Sequence, residues 1–263
     1  MKEESRQDRL RLAGMDAKLC IAEYGNGVLR PYRLFIPASY RFAPSAAGTP
    51  PEPHPLVVML HGGGSAGFPC DENWYFANRE STDRVQTVAA ERGYLVACPA
   101  LPFTRIAGNA PDRVEQMIEE IVKDCLPMID AVIREILYDY HVDPGRVYLS
   151  GASRGGLAAY AAVHAGPGRF ASIAAVCTTC PREWVARIAE VPTVMLHAVE
   201  DAIFPIREAR ELKRTLEGRG CDVELVEFPG GHDGLRFTAA YSVIFDWFDA
   251  HPGSTATGAP PTP

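Results

Sequence analysis

Apolar residues recur along this chain in two rhythms. Short apolar runs at Leu56-Val57-Val58-Met59-Leu60, Tyr94 to Cys98, Val147-Tyr148-Leu149, Ser172 to Val176 and Thr193 to His197 predict strands, and Asp222 to Phe228, interrupted by acidic residues, reads as another. The first has the continuous apolarity of a strand covered on both faces. Between these runs, Thr82 to Arg92 reads as a helix with Val85, Val88 and Ala89 on one face, Leu157 to Val163 as a helix from its Ala and Leu, and Pro205 to Gly218 and Leu235 to Phe248 as further helices. The longest stripe runs from Val114 to Leu137 and contains Pro127, which removes one backbone hydrogen bond and predicts a kink or two abutting helices. Residues 17–24 and 28–36 read as strands joined by Gly25-Asn26-Gly27, a hairpin signal because Asn and Gly tolerate positive φ. Pro37 to Pro55 and Pro99 to Pro111 read as loops, and Asp143-Pro144-Gly145 as a turn into the following strand.

Strands alternating with helices imply an α/β fold: a mostly parallel central sheet with helices on both faces, opened by an N-terminal antiparallel hairpin. No segment is long enough for a large lid domain. The expected organisation is an N-terminal extension over 1–16, one α/β domain over 17–251 and a flexible Pro/Thr/Ala/Gly tail over 252–263. With 263 residues, 47% of them apolar, the chain can bury one substantial core. A net charge of -7 and the absence of any Lys/Arg run argue against nucleic acid or an anionic membrane as partner, leaving a small molecule. Met1 to Arg9 carries charges of both signs and leads into no long apolar stretch, which reads as a cytoplasmic protein. Seven cysteines, an odd number spread thinly, fit reduced thiols. Cys177 and Cys180 have C-x-x-C spacing, but no second pair or histidine cluster accompanies them, so neither a metal nor a cofactor is expected.

The candidate chemistry centres on Gly151-Ala152-Ser153-Arg154-Gly155, a G-x-S-x-G pattern between a predicted strand and a predicted helix. Glycines flanking Ser153 allow so sharp a turn, and the turn exposes the hydroxyl of Ser153. His61-Gly62-Gly63-Gly64 follows a buried strand, and its backbone N–H groups suit an oxyanion hole, with Gly63 or Gly64 and Arg154 as donors. Phe68, Trp74 and Phe76 either line a substrate pocket or cover the sheet end. Downstream, Asp201 competes with Glu200 and Asp233 as the acid; it lies furthest past its strand and ahead of Pro205. His232, in a Gly-rich loop, competes with His197, which ends an apolar run as buried histidines do. The Arg154 side chain reads as salt-bridged or solvated, with substrate contact as the lesser alternative.

Oxyanion loop, Ser, acid and His follow one another in the order of the α/β-hydrolases, and the chain from about Arg30 to Asp249 resembles that superfamily. Arg30 to Pro37, Val142 to Gly151 and Ser153-Arg154-Gly155-Gly156 are similar to carboxylesterases akin to feruloyl esterases and polyhydroxyalkanoate depolymerases, and to their predicted peptidase relatives. His197 to Pro205 resembles the acid-bearing loop of dienelactone-hydrolase and prolyl-oligopeptidase types, which implies Asp201 as the triad acid. The expected function is a serine carboxylesterase that cleaves a small ester through an acyl-enzyme. A peptidase or amidase of prolyl-oligopeptidase type, or a ligand-binding protein on the same scaffold, is the alternative. Acyl and alcohol specificity and oligomeric state are not legible.

Overall fold

The structure is a computed structural model and describes residues 15–25, 27–40, 52–63, 85, 87–104, 110–232 and 240–253. Among the described residues the first elements are β1 (Met15–Tyr24) and β2 (Val28–Pro37), paired antiparallel. β3 (His54–Leu60) follows, then helical residues at 85 and 87–91, then β4 (Leu95–Pro99). Beyond these come α1 (Ala110–Glu120), a π-helical turn (Ile121–Cys125), α2 (Leu126–Asp139), β5 (Val142–Ala152) and α3 (Arg154–Ala165). The remaining elements are β6 (Ser172–Val176), the short α4 (Val185–Ile188), β7 (Thr193–Ala198), α5 (Ile206–Glu217), β8 (Val223–Phe228) and α6 (Ala240–Ala250).

Among the described residues the sheet has eight strands in the order β1-β2-β4-β3-β5-β6-β7-β8. The β1–β2 and β2–β4 pairs are antiparallel and every later pair is parallel. This is the mostly parallel α/β sheet with an antiparallel hairpin at one edge that the sequence predicts. The pleat divides the core in two. Leu56, Val58 and Leu60 of β3 pack with residues of the π-turn, α2, α3 and α5, whereas Val57 and Met59 pack on the other face with Val85, Ala89 and α6. Both faces are therefore apolar, which explains the unbroken run at 56–60.

Two local features bear on the sequence-based expectation. Around Pro127 the stripe divides, as expected, into two abutting helices, α1 and α2, joined by a π-turn in which the Leu126 N–H donates to the Ile121 carbonyl. Pro127 then occupies the first turn of α2, where its missing N–H leaves no helical bond unmade. Asp143-Pro144-Gly145 does not precede β5 but bulges out within it, since the register jumps from His54↔Val142 to Leu56↔Val147. The bulge is fixed by Asp143, which accepts the Gly145 N–H at 2.9 Å and the Arg146 Nε–H at 2.9 Å.

α6 is held to the sheet by aromatic contacts. Phe248 is fully buried and stacks on Tyr148 at 4.7 Å, while Phe245 meets Tyr94 edge-on at 4.9 Å. At the rim, Arg92 reaches Asp246 and Asp249 at 2.6 and 2.7 Å. Truncating Phe248 removes a ring that nothing nearby can replace, so Phe248→Ala is expected to cost about 3–5 kcal/mol in urea unfolding. A loss below about 1 kcal/mol would show that the stack contributes little beyond a conservative core change.

Candidate active site

β5 lies between β3 and β6, so the turn leaving it emerges at the carboxyl ends of three parallel strands, where ligand sites form in such sheets. Ser153 occupies that turn with φ 56° and ψ −123°, outside the regions non-glycine residues prefer. Its N–H donates to the Val176 carbonyl at 2.8 Å, and its own carbonyl accepts the Leu157 N–H at 3.1 Å, which starts α3. The turn leaves no room for side chains: a Cβ on Gly151 would collide with the Gly155 carbonyl, and one on Gly155 with the carbonyls of Leu60 and His61. The G-x-S-x-G spacing is thus a statement about clearance between β3, β5 and α3.

The acid and the histidine are brought together by an extension of the β7–β8 ladder. Past the ends of those strands, the Val199 N–H donates to the Phe228 carbonyl at 2.9 Å and the Glu200 N–H to the Gly230 carbonyl at 3.0 Å. The Glu200 carboxylate in turn accepts the Gly230 N–H. Two loops distant in sequence are zipped side by side. Asp201, with a fully buried side chain, receives the His232 Nδ1–H on Oδ2 at 2.7 Å. Its Oδ1 accepts the N–H groups of Ile203 and Phe204 at 2.8 and 2.9 Å, so both oxygens of the buried carboxylate are satisfied. Because Asp201 accepts at Nδ1, the His232 Nε2 lone pair is left to accept the Ser153 hydroxyl at 2.9 Å.

The sequence alternatives part ways here. Glu200 is spent on Gly230, and Asp233 lies outside the described residues. His197 is buried and its Nε2–H donates to the Phe204 carbonyl at 2.7 Å, closing the loop that presents Asp201. Its Nε2 stands 3.8 Å from Asp201 Oδ2, too long for a hydrogen bond.

On the opposite side of Ser153, Gly62 packs against the elbow: a Cβ there would stand 3.5 Å from that of Ser153. Gly63 adjoins Arg154, whose backbone amide is the first of α3 and has no partner within the helix. Gly64, Phe68, Trp74 and Phe76 lie outside the described residues. The Arg154 side chain is buried and ion-paired with Glu120, as one of the sequence readings has it, rather than presented to a substrate. Cys177 and Cys180 are free thiols. Burial, with Asp201 beside it, pushes the Cys177 thiol up to about 12, which keeps it protonated and a poor nucleophile. Among the described residues no cluster of His, Cys, Asp or Glu is arranged to hold a metal ion, and no helix is long and apolar enough to cross a membrane. Sequence reasoning missed Glu120, Thr104 and Phe103, which surround the Arg154 guanidinium; no spacing signal links them.

A profile of the dienelactone hydrolase family matches residues 47–242. The chain belongs to the dienelactone hydrolase family. Membership places it in the α/β-hydrolase superfamily, and the other comparisons agree in fold. The acylamino-acid-releasing enzyme of Arabidopsis thaliana is 26% identical over 69% of this chain and 28% of its own length. The crystal structure of a thermostable esterase aligns with 22% identity and a TM-score of 0.61 over 90% of this chain and 63% of that one. An acylaminoacyl peptidase from Pyrococcus horikoshii aligns with 14% identity and a TM-score of 0.69 over 94% of this chain and 43% of that one. The chain therefore spans between roughly a quarter and two thirds of these relatives' lengths.

The clearance at the elbow gives a direct test. Gly155→Ala is expected to lower stability by more than about 3 kcal/mol, or to prevent folding, because backbone atoms rather than a flexible side chain occupy the Cβ position. Gly168→Ala, where nothing lies within 4 Å, is expected to stay within about 0.5 kcal/mol of wild type in the same thermal and urea measurements. Equal effects of the two substitutions would refute the clearance argument.

Proposed function

We propose that this member of the dienelactone hydrolase family is a serine hydrolase that cleaves a small carboxylic ester through an acyl-enzyme. The observation that carries the reading is the continuous hydrogen-bonded chain from Asp201 through His232 to Ser153. In this reading His232 Nε2 takes the Ser153 proton as Oγ attacks the acyl carbon, and returns it to the alcohol as that bond breaks. Asp201 holds the tautomer in which Nε2 accepts and stabilises the imidazolium. The N–H groups of Arg154 and of Gly63 or Gly64 receive the oxyanion, each contributing about 3 kcal/mol to the transition state. The positive end of α3 adds to that field. A water, activated by the same imidazole, then releases the acid and restores Ser153.

A second reading, hydrolysis of an acylaminoacyl or peptide bond, draws support from the plant acylamino-acid-releasing enzyme and the Pyrococcus horikoshii peptidase. The chemistry differs only in the leaving group. A matched pair of substrates, one acyl group presented as an ester and as an arylamide, separates the two, and the ester is expected to have the higher kcat/KM. Efficient arylamide release with slow ester cleavage would favour the peptidase.

Intact-mass analysis after treatment with a fluorophosphonate is expected to show one adduct on wild type and none on Ser153→Ala. On an ester substrate kcat is expected to fall on the order of a millionfold for Ser153→Ala and roughly 10⁴-fold for Asp201→Asn, the latter because the histidine loses its tautomer. Absence of both adduct and turnover in the wild type overturns the proposal in favour of a binding protein on the same scaffold.

A further inference from the structure

We infer that the buried Arg154–Glu120 pair is a positioning device that fixes the two oxyanion donors relative to each other. The inference rests on the serine-hydrolase reading. The side chains of Arg154 and Glu120 are only 4% and 11% exposed. Removing two charges from water costs several kcal/mol, and apolar residues of similar volume commonly serve stability as well or better. The Arg154 Nε also has no hydrogen-bond partner among the described residues, a further cost that a purely stabilising arrangement would avoid. Stability alone therefore does not account for the pair.

Its contacts point to the oxyanion turn. The Arg154 Cδ lies 3.1 Å from the place where a Gly63 Cβ would be, so the arginine stem fills the space that the glycine leaves open. The guanidinium sits 4.5 Å from the centre of the Phe103 ring, and its Nη1 donates to the Thr104 carbonyl at 2.8 Å. Phe103 in turn meets His61 edge-on at 5.2 Å, and His61 Nδ1–H donates to the Gly62 carbonyl at 2.9 Å. Glu120 completes the ring of contacts by accepting the Thr104 N–H at 2.7 Å while it pairs with Nη2 of Arg154. It ends α1 immediately before the π-turn, a backbone irregularity found often beside functional sites. One residue thus supplies a donor through its amide, and through its side chain packs the turn that carries the other.

The test compares Arg154→Met, Arg154→Lys and Glu120→Gln with wild type on an ester, together with a boronic acid that mimics the tetrahedral intermediate. Arg154→Met and Glu120→Gln are expected to lower kcat roughly 10- to 100-fold with KM within about threefold of wild type, and to weaken the boronic acid by a similar factor. Arg154→Lys, which retains the charge, is expected to recover most of kcat, and the Arg154→Met/Glu120→Gln double variant to be no slower than the slower single. Should Arg154→Met fail to fold, Glu120→Gln, which keeps size and shape, carries the comparison. Variants that lose thermal stability but keep wild-type kcat overturn the positioning role, as does a raised KM with unchanged kcat. Wild type without turnover or a Ser153 adduct overturns the hydrolase reading and the positioning role together; active wild type with unaffected variants overturns the latter alone.

Discussion

Three backbones meet at one point in this protein: the end of β3, the end of β5 and the start of α3. The contact is closer than side chains allow, so Gly151 and Gly155 stand where carbonyls occupy the Cβ positions. Ser153, between them, is forced to positive φ, a cost of about 1–3 kcal/mol that the surroundings must over-determine. They do so through its bonds to Val176 and Leu157, which tie the elbow to β6 on one side and to its own helix on the other. Sheet order and site chemistry are joined here. Only a strand with parallel neighbours on both sides can present a turn flanked by the His61–Gly63 segment and by the Cys177 end of β6.

The other half of the candidate site is built by a different device. Asp201 and His232 sit on loops that continue the β7–β8 pairing, so their separation is set by backbone hydrogen bonds rather than by long side chains. His197 illustrates the division of labour. It shares a loop with Asp201, yet its bond to Phe204 makes it a brace for the loop, whereas His232 has one nitrogen on the carboxylate and the other on a hydroxyl.

What the sequence reveals follows from what the physics repeats. Strands covered on both faces leave continuous apolar runs, so β3 to β7 and their order of alternation with helices were legible, and with them the fold. Ser153 was legible because steric clearance writes glycines at fixed offsets. The π-turn before Pro127 was not, since a proline marks where a hydrogen bond is missing without saying how the helix absorbs the gap. Glu120 was not legible either. It is one of three glutamates among Glu115, Glu119 and Glu120, and only tertiary packing decides which of them reaches an arginine 34 positions away.

The pairing of Arg154 also bears on the charge balance of the proposed chemistry. An unpaired guanidinium beside the elbow would attract the oxyanion but would equally oppose the imidazolium that forms on His232 in the same step. Glu120 cancels most of that field at short range while leaving the arginine stem packed against Gly63. The donors facing the developing charge are then backbone dipoles, which are fixed in direction and reinforced by the start of α3. Positioning without net charge suits a site in which a negative and a positive centre must appear together.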